Sequence, residues 1–171
     1  MSKIQPLAAA AARILGISLF GLLAGPSFAG CEQNQDTSLT LTRGGETVET
    51  LSLADLDGLE QQSFRTTTQW TDGTIEFSGP ALADVLARLD LSLAETSVRL
   101  VAANRYSVVL SPEVVAADTP ILATRRDGCT FGLREMGPLW VVFPYDLDKK
   151  FRTEQVYAVS IWQLVEIQIE P

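Results

Sequence analysis

The chain has 171 residues, of which 13 are Lys or Arg and 21 are Asp or Glu, and its net charge is −8. The length fits a single domain, and the acidic balance argues against nucleic-acid binding, which depends on a basic surface. The sequence contains no histidine, which excludes Ser-His-Asp and Cys-His catalysis as well as zinc or haem bound through His.

Residues 1–29 have the pattern of a signal peptide. Lys3 and Arg13 precede a largely apolar run over residues 14–24, which is too short to span a bilayer. A small-residue cleavage pattern follows and ends at Ala29. Since no Arg-Arg pair precedes the apolar run, we expect Sec-type export to the periplasm or secretion, with no transmembrane span in the mature protein.

Cys31 has two alternative fates in an exported chain. Residues 28–31 also resemble a lipobox, in which Cys31 would be lipidated and would anchor the protein to a membrane. Alternatively, Cys31 and Cys129 form a disulfide in an oxidising compartment. In either case we expect residues 30–38 to form a flexible leader and residues 39–171 to form one domain.

The first half of the domain is predicted to contain three extended segments. Alternating polarity or Thr-rich composition predicts them over residues 39–42, 64–70 and 74–77. Gly44-Gly45 predicts a turn after the first, and Asp72-Gly73 predicts a hairpin between the other two.

Two helices are predicted in the same half from their capping residues. Ser52 and Asp55 have the spacing of a capping box and predict a short helix. Ser78 as N-cap and Pro80 in the first turn predict a second helix. Its apolar face would comprise Leu82, Val85, Leu86 and Leu89.

The second half is predicted to be mainly strands. A short helical segment is expected from Ser111 to about Ala117, and Asp127-Gly128 is expected to form a turn. The predicted strands cover residues 98–102, 106–110, 121–124, 139–143, 156–159 and 162–169. Residues 139–143 are five large apolar residues in succession, so we expect a fully buried strand in the middle of a sheet. The fold class predicted from these elements is α+β with a mixed sheet.

Six short segments follow one another in an order and spacing that is informative as a set. They are residues 66–70, 77–86, 104–110, 126–128, 137–144 and 160–162. Together they resemble the molybdopterin-binding domain of the sulfite oxidase family, and in particular its short, exported bacterial members. The resemblance covers roughly residues 64–167 and implies a mixed α+β fold with a deep cleft for a molybdenum pterin.

The family's molybdenum ligand has no counterpart at the matching position. In the family, a cysteine thiolate, which is a soft ligand, lies about ten residues before the aromatic-x-Gly that precedes a helix. Counting back from Phe77 leads to Thr67. The family's histidine contacts are missing as well, and the lysine before its late Trp is replaced by Ile161. We therefore expect no cofactor, and molybdopterin only under the alternative of altered metal ligation.

The export signal supports the same interpretation. Family members that carry the cofactor across a membrane fold before export and resemble twin-arginine substrates. A Sec-type chain crosses unfolded and free of cofactor, so the predicted signal also favours a domain that has lost its metal.

The resemblance places two loops at the cleft. The candidate cleft residues are Thr66, Thr67, Thr68, Trp70, Asn104, Arg105 and Tyr106. With hydroxyls in place of a thiolate, the floor of the cleft would be polar and free of metal, and Arg105 would attract an anion. Core packing is the alternative explanation for Trp70 and Tyr106, and a turn is the alternative for Asn104.

Three functions are compatible with the sequence. The first is a non-catalytic exported module that binds a small anionic ligand, or acts as a sensor or partner of a periplasmic protein. The second is a molybdopterin-dependent oxidoreductase with altered metal ligation. The third is a structural or adaptor subunit. The missing cysteine and histidines favour the first.

Overall fold

A computed structural model describes residue 31, residues 36–115 and residues 118–169. The predicted signal peptide, most of the leader and the end of the predicted helical segment at Ala117 lie outside the described residues. The strands are β1 Ser38–Arg43, β2 Glu46–Ser52, β3 Gln61–Thr67, β4 Thr74–Pro80, β5 Val98–Ala102, β6 Ser107–Leu110, β7 Ile121–Ala123, β8 Arg125–Arg126, β9 Trp140–Val142 and β10 Leu164–Ile169. The α-helices are α1 Leu53–Asp57, α2 Leu82–Ala87 and α3 Glu154–Val159, with short 3₁₀ helices at Pro112–Val114, Leu133–Glu135 and Lys149–Phe151.

The largest sheet has five strands in the order β2-β1-β10-β5-β6. Strands β1 and β10 run parallel, whereas the other neighbours in this sheet are antiparallel. The sheet is therefore mixed, and together with the short helices it confirms the predicted α+β class. The buried faces of its strands carry Leu39, Leu41, Leu100 and Ile167, all with no exposed surface.

Two smaller sheets complete the fold, with strand orders β3-β4-β8 and β7-β9. The apolar residues at 139–143 are all fully buried, as predicted, but the strand is shorter and does not lie inside a large sheet. It pairs with β7 on one side. On the other side, a bridge joins Trp140 to Trp162, and hydrogen bonds run from Val141 N to Ile161 O and from Leu164 N to Leu139 O. Pro138 and Pro144 flank the strand, and neither has an N–H to extend a ladder.

The predicted helix start at Ser78 is wrong. Residues Ser78, Gly79 and Pro80 belong to β4, and α2 begins only after Ala81. A Cβ on Gly79 would lie 2.0 Å from Leu122 O, so this glycine permits close contact between neighbouring strands. The expected apolar face of α2 is confirmed for its helical positions, because Leu82, Val85 and Leu86 are fully buried. Leu89 lies past the helix end and is half-buried.

The predicted strand over residues 156–159 is also wrong, because this segment is the helix α3. The Thr153 side chain caps the helix by accepting from Val156 N at 3.3 Å. Val156 and Val159, three positions apart, are buried on one face. Capping and packing against the core thus outweigh the strand preference of valine.

The N-terminal capping box is confirmed, since Ser52 and Asp55 bond to each other's backbone N–H groups at the start of α1. Ser38, which was expected in the leader, begins β1, and Thr37 O accepts from Leu53 N at 3.1 Å. Within the described residues, no helix is both long enough and apolar enough to cross a membrane.

Candidate functional site

An aromatic cluster surrounds Trp70, which lies in the loop between β3 and β4. The Trp70 ring centre is 5.4 Å from that of Trp162, 5.8 Å from Tyr157, 5.9 Å from Trp140 and 6.3 Å from Tyr145, all in edge-to-face geometry. Such ring pairs stabilise a fold by more than the apolar area that they bury, and they favour one position of the Trp70 ring. One loop tryptophan therefore contacts two stretches that are distant from it in sequence, residues 140–145 and 157–162.

The loop that carries Trp70 is fixed by threonine hydroxyls. Thr68 Oγ1 accepts a hydrogen bond from Trp70 N at 3.1 Å, and it shares another with Thr71 Oγ1 at 2.8 Å. A hydroxyl that bonds to the backbone two residues later is a common way to stabilise a turn. Thr68 therefore orients Trp70 without lining the site itself.

Hydrogen bonds anchor the inner side of the cluster to Ser160. Trp140 Nε1 donates to Ser160 O at 3.2 Å, and Tyr145 Oη donates to Ser160 Oγ at 2.7 Å. Ser160 Oγ in turn donates to Val156 O at 2.7 Å. Burial raises the pKa of the Tyr145 phenol far above its ordinary value, although the bond to Ser160 acts in the opposite direction. Tyr145 thus stays neutral and supports the site structurally.

A pocket of about 510 Å³ opens against the outer side of this cluster. Four of its lining residues are the aromatic residues Trp70, Tyr106, Tyr157 and Trp162. The remaining lining residues are Gln69, Ala102, Asn104, Glu154, Ala158, Ser160 and Ile161. The volume lies in the range of small-molecule sites, which are mostly apolar with a few polar groups.

Glu154 supplies the charge of this pocket. It lies in the first turn of α3, and its side chain is exposed. Among the residues that the structure describes, those lining the pocket include no Lys and no Arg. The lining therefore combines four aromatic rings with one acidic residue, and its formal charge is negative.

The three threonines at 66–68 are not lining residues of this pocket. Thr67 N donates to Asp146 Oδ2 at 2.6 Å, and Thr67 Oγ1 donates to Asp146 Oδ1 at 2.8 Å. The neighbouring Thr66 is fully buried, and its Oγ1 accepts from Asp146 N at 3.1 Å. The end of β3 is thus fixed to the segment that follows β9.

Asp146 is further held by Arg152. The Arg152 guanidinium bonds to Asp146 Oδ1, and Arg152 Nε donates to Tyr145 O at 2.7 Å. The bond from the Thr67 backbone N–H lowers the pKa of Asp146, with smaller contributions from the Thr67 hydroxyl and Arg152. The carboxylate is therefore ionised and fully engaged by protein donors at neutral pH.

Asn104, Arg105 and Tyr106 lie in the turn between β5 and β6, but only two of the three line the pocket. Asn104 Oδ1 accepts from Tyr106 N at 2.9 Å, so the turn alone accounts for an asparagine here. Arg105 has a positive φ of 68° and is exposed. Its neighbours Asn104 and Tyr106 line the pocket, but Arg105 does not.

The structure therefore brings together Trp70, Asn104 and Tyr106 of the predicted cleft and leaves out the threonines and Arg105. Glu154 and Tyr157 also line the pocket, which the sequence does not predict, because its pattern indicates a strand where α3 lies. The N-cap pattern Thr153-Glu154 is the signal from which this helix could have been found. Trp162 lies in one of the segments that carry the resemblance, but the predicted cleft residues do not include it.

Cys31 and Cys129 are joined by a disulfide that connects positions 98 residues apart. Cys129 follows the Asp127-Gly128 turn, where both residues have positive φ. A lipid on Cys31 would occupy the same sulfur atom, so lipidation and this disulfide exclude each other.

Donors for a molybdenum ion are poor in this chain. Its two cysteines are both in the disulfide, and it has no histidine. In the described part of the chain, no group of three or more His, Cys, Asp or Glu side chains is arranged to hold a metal ion. The residues present therefore do not supply the cysteine thiolate that the family resemblance implies for a molybdenum pterin.

Comparison with known proteins identifies the fold but not the function. No family model matches the chain, and no curated protein matches it. Among solved structures, the chain is similar to the sulfane dehydrogenase SoxCD from Paracoccus pantotrophus, with 17% identity and a TM-score of 0.58. The match covers 81% of this chain but only 39% of that one. The chain thus has a sulfite oxidase-like fold and spans well under half the length of this structural neighbour.

Proposed function

We propose that this chain is a non-catalytic module that binds a small molecule in the aromatic pocket beside Trp70. The observation that carries the proposal is the bonding of Thr67, the position that would match a metal-ligating cysteine. Its backbone N–H and its hydroxyl both donate to the Asp146 carboxylate, at 2.6 and 2.8 Å. A neutral hydroxyl is not a thiolate, and this one already donates its proton to Asp146.

The pocket itself supports ligand binding. It is concave, largely apolar and bordered by four aromatic side chains, of which Trp70 packs against both Tyr157 and Trp162. Preformed sites of this kind bind with little cost for ordering their side chains. Ligand binding there would let the protein act as a sensor or as the partner of another protein.

We further propose that the protein acts outside the cytoplasm, in the periplasm or as a secreted protein. The signal-like pattern of residues 1–29 supports this, and so does the disulfide between Cys31 and Cys129, because such bonds persist in oxidising compartments. The disulfide also favours a soluble mature form over one lipidated at Cys31.

A second candidate is a molybdopterin-dependent oxidoreductase with altered metal ligation. The fold-level similarity to a sulfane dehydrogenase favours it. Because one fold supports many functions, this similarity carries less weight than the chemistry of the Thr67 position.

Analysis of the metal and pterin content of protein purified from its natural source distinguishes the two candidates. We expect molybdenum and extractable pterin to be far below one per chain. Near-stoichiometric molybdenum with pterin would refute the non-catalytic proposal.

A Thr67→Cys variant tests whether the ligand alone is missing. We expect no molybdenum in this variant, whether it is produced with its N-terminal segment or in the cytoplasm without it, because Asp146 and Arg152 occupy the surroundings of this position. Thr71→Cys, in the loop near Trp70, is the matched control for nonspecific metal uptake by a new thiol. Loading of the Thr67→Cys protein alone would show that a pterin site is retained.

A further inference from the structure

The lining of the aromatic pocket restricts the charge of a ligand. Trp70, Tyr106, Tyr157 and Trp162 each contribute an aromatic ring to it. The face of an aromatic ring is electron-rich and attracts a positive charge within about 6 Å, most strongly when the ring is that of tryptophan. Aromatic residues grouped around one concavity are the usual way in which proteins bind quaternary ammonium groups.

Glu154 adds a full negative charge to the same concavity. An acidic residue in the first turn of a helix is favourable by itself, so the position of Glu154 in α3 does not require a ligand. However, Glu154 makes no ion pair with any residue that the structure describes, and it is an exposed lining residue of the pocket. It can therefore pair with a charge on a bound molecule.

An anion would find no matching charge in this pocket. Anion sites use Arg or Lys side chains or converging backbone N–H groups. The described lining residues include neither Arg nor Lys, and the exposed Arg105 lies next to the lining rather than in it. The Arg152 guanidinium is engaged by Asp146 and Tyr145 O. The charges thus favour a cation over the anion expected from the sequence.

From these observations we infer that the pocket binds a small organic cation, with a quaternary or tertiary ammonium group against the aromatic rings and Glu154 as its counter-charge. This inference rests on the proposed ligand-binding function and names the chemical class of its ligand. The volume of about 510 Å³ leaves room for a further part of the ligand beyond the ammonium group.

Tryptophan fluorescence provides a direct measure of binding, because the three tryptophans of the chain all belong to the cluster. The probes are choline, its neutral isostere 3,3-dimethyl-1-butanol, and inorganic phosphate. We expect saturable quenching by choline, a dissociation constant for the alcohol at least about tenfold higher, in line with the loss of cation–π attraction, and no response to phosphate.

Charge-removing variants identify the counter-charge. We expect Glu154→Gln to weaken choline binding about fivefold to tenfold, the effect of a partly exposed charge pair beside aromatic rings, and to leave alcohol binding unchanged. Glu46→Gln, which removes an exposed acidic residue at the start of β2, is the matched control and should leave both unchanged. Arg105→Gln should leave choline binding unchanged or slightly strengthen it. Thermal unfolding of each variant verifies that it is folded.

Several results would overturn this inference. Equal affinity for choline and the alcohol would show a neutral apolar site, and phosphate binding that Arg105→Gln abolishes would show an anion site. Both results leave the proposed ligand-binding function intact. No saturable choline response up to about 100 mM, a hundredfold above a millimolar dissociation constant, would also refute the inference. The proposed function itself fails on a separate measurement, the molybdenum and pterin content of the natural protein.

Discussion

Asp146 lies after β9 and makes several hydrogen bonds to the end of β3. Its carboxylate accepts from both the N–H and the hydroxyl of Thr67, and its own N–H donates to Thr66. The Thr67 backbone bond, the main cause, lowers the pKa of Asp146 in the folded state below that of the unfolded chain. A lowered carboxyl pKa stabilises the fold above the unfolded value of about 4, and this contribution is lost as the pH falls through the folded-state pKa.

The change Asp146→Asn tests this role. We expect it to reduce the free energy of unfolding by about 1–2 kcal/mol at pH 7, because an amide has one acceptor oxygen where the carboxylate uses two, and the site is partly exposed. The difference from the wild type should be smaller in acid, at a pH below the ordinary carboxyl value of about 4, because the stabilisation by the ionised Asp146 is progressively lost there. Urea unfolding at the two pH values measures both effects.

Asp72→Asn, in the turn before β4, is the matched control and should change stability little at either pH. A destabilisation by Asp146→Asn that is equally large at both pH values would contradict the assigned role of the ionised carboxylate.

At the scale of elements, the close contact between β4 and β7 depends on Gly79. The change Gly79→Ala would place a Cβ 2.0 Å from Leu122 O, against main-chain atoms that cannot turn away. Because the strands must separate to relieve this clash, we expect the free energy of unfolding to fall by at least about 3 kcal/mol. This value is the upper part of the range for overpacked sites. Denaturant unfolding gives the value.

Gly58→Ala is the matched control, because its Cβ would be 3.4 Å from the nearest atom and its φ is −75°. We expect it to be neutral or to stabilise the protein by up to about 1 kcal/mol, through a smaller entropy of the unfolded chain. If the two variants had the same stability, the close approach at Gly79 would be wrong.

The predictable elements are those whose signals are local. The capping box at Ser52 and the Asp127-Gly128 turn each depend on residues a few positions apart, and both are found. At α3, local signals conflict, because Val156 and Val159 favour a strand while Thr153 favours a helix start. Packing of the valines on one face decides the outcome, and it involves the rest of the fold.

The candidate site was predictable only in part for the same reason. Trp70 and Tyr106 were recognised through a family resemblance that covers both loops. The hydrogen bonds between Thr67 and Asp146 join positions 79 residues apart, and no sequence pattern near Thr67 predicts them. The position of Arg105 outside the pocket lining follows from a turn with positive φ, a backbone detail that its residue type does not favour.

At the scale of the whole molecule, the disulfide between Cys31 and Cys129 closes a long loop. The bonded residues are 98 positions apart, so the cross-link removes considerable entropy from the unfolded chain. We expect the double change Cys31→Ser and Cys129→Ser to lower the free energy of unfolding by about 2–4 kcal/mol. Thermal or urea unfolding measures it.

Addition of a reducing agent should destabilise the wild type by a similar amount and leave the double variant unaffected. An unchanged wild-type stability after verified reduction would show that the cross-link makes no contribution of this kind.

The parallel pairing of β1 with β10 has a consequence for how the protein is made. These neighbours at the centre of the main sheet come from opposite parts of the chain, and the bond from Thr42 Oγ1 to Glu166 Oε1 joins residues 124 positions apart. While a ribosome is still producing the segment before β10, the hairpins β1–β2 and β5–β6 each have one unpaired inner edge. Exposed edges of this kind pair readily with other chains.

A chain terminated after Gln163 should therefore aggregate rather than form a smaller domain, and light scattering of the truncated product would reveal this. During synthesis, the five-stranded sheet can form only once β10 has left the ribosome. Until then, the two hairpins of the nascent chain are not joined by their central strand.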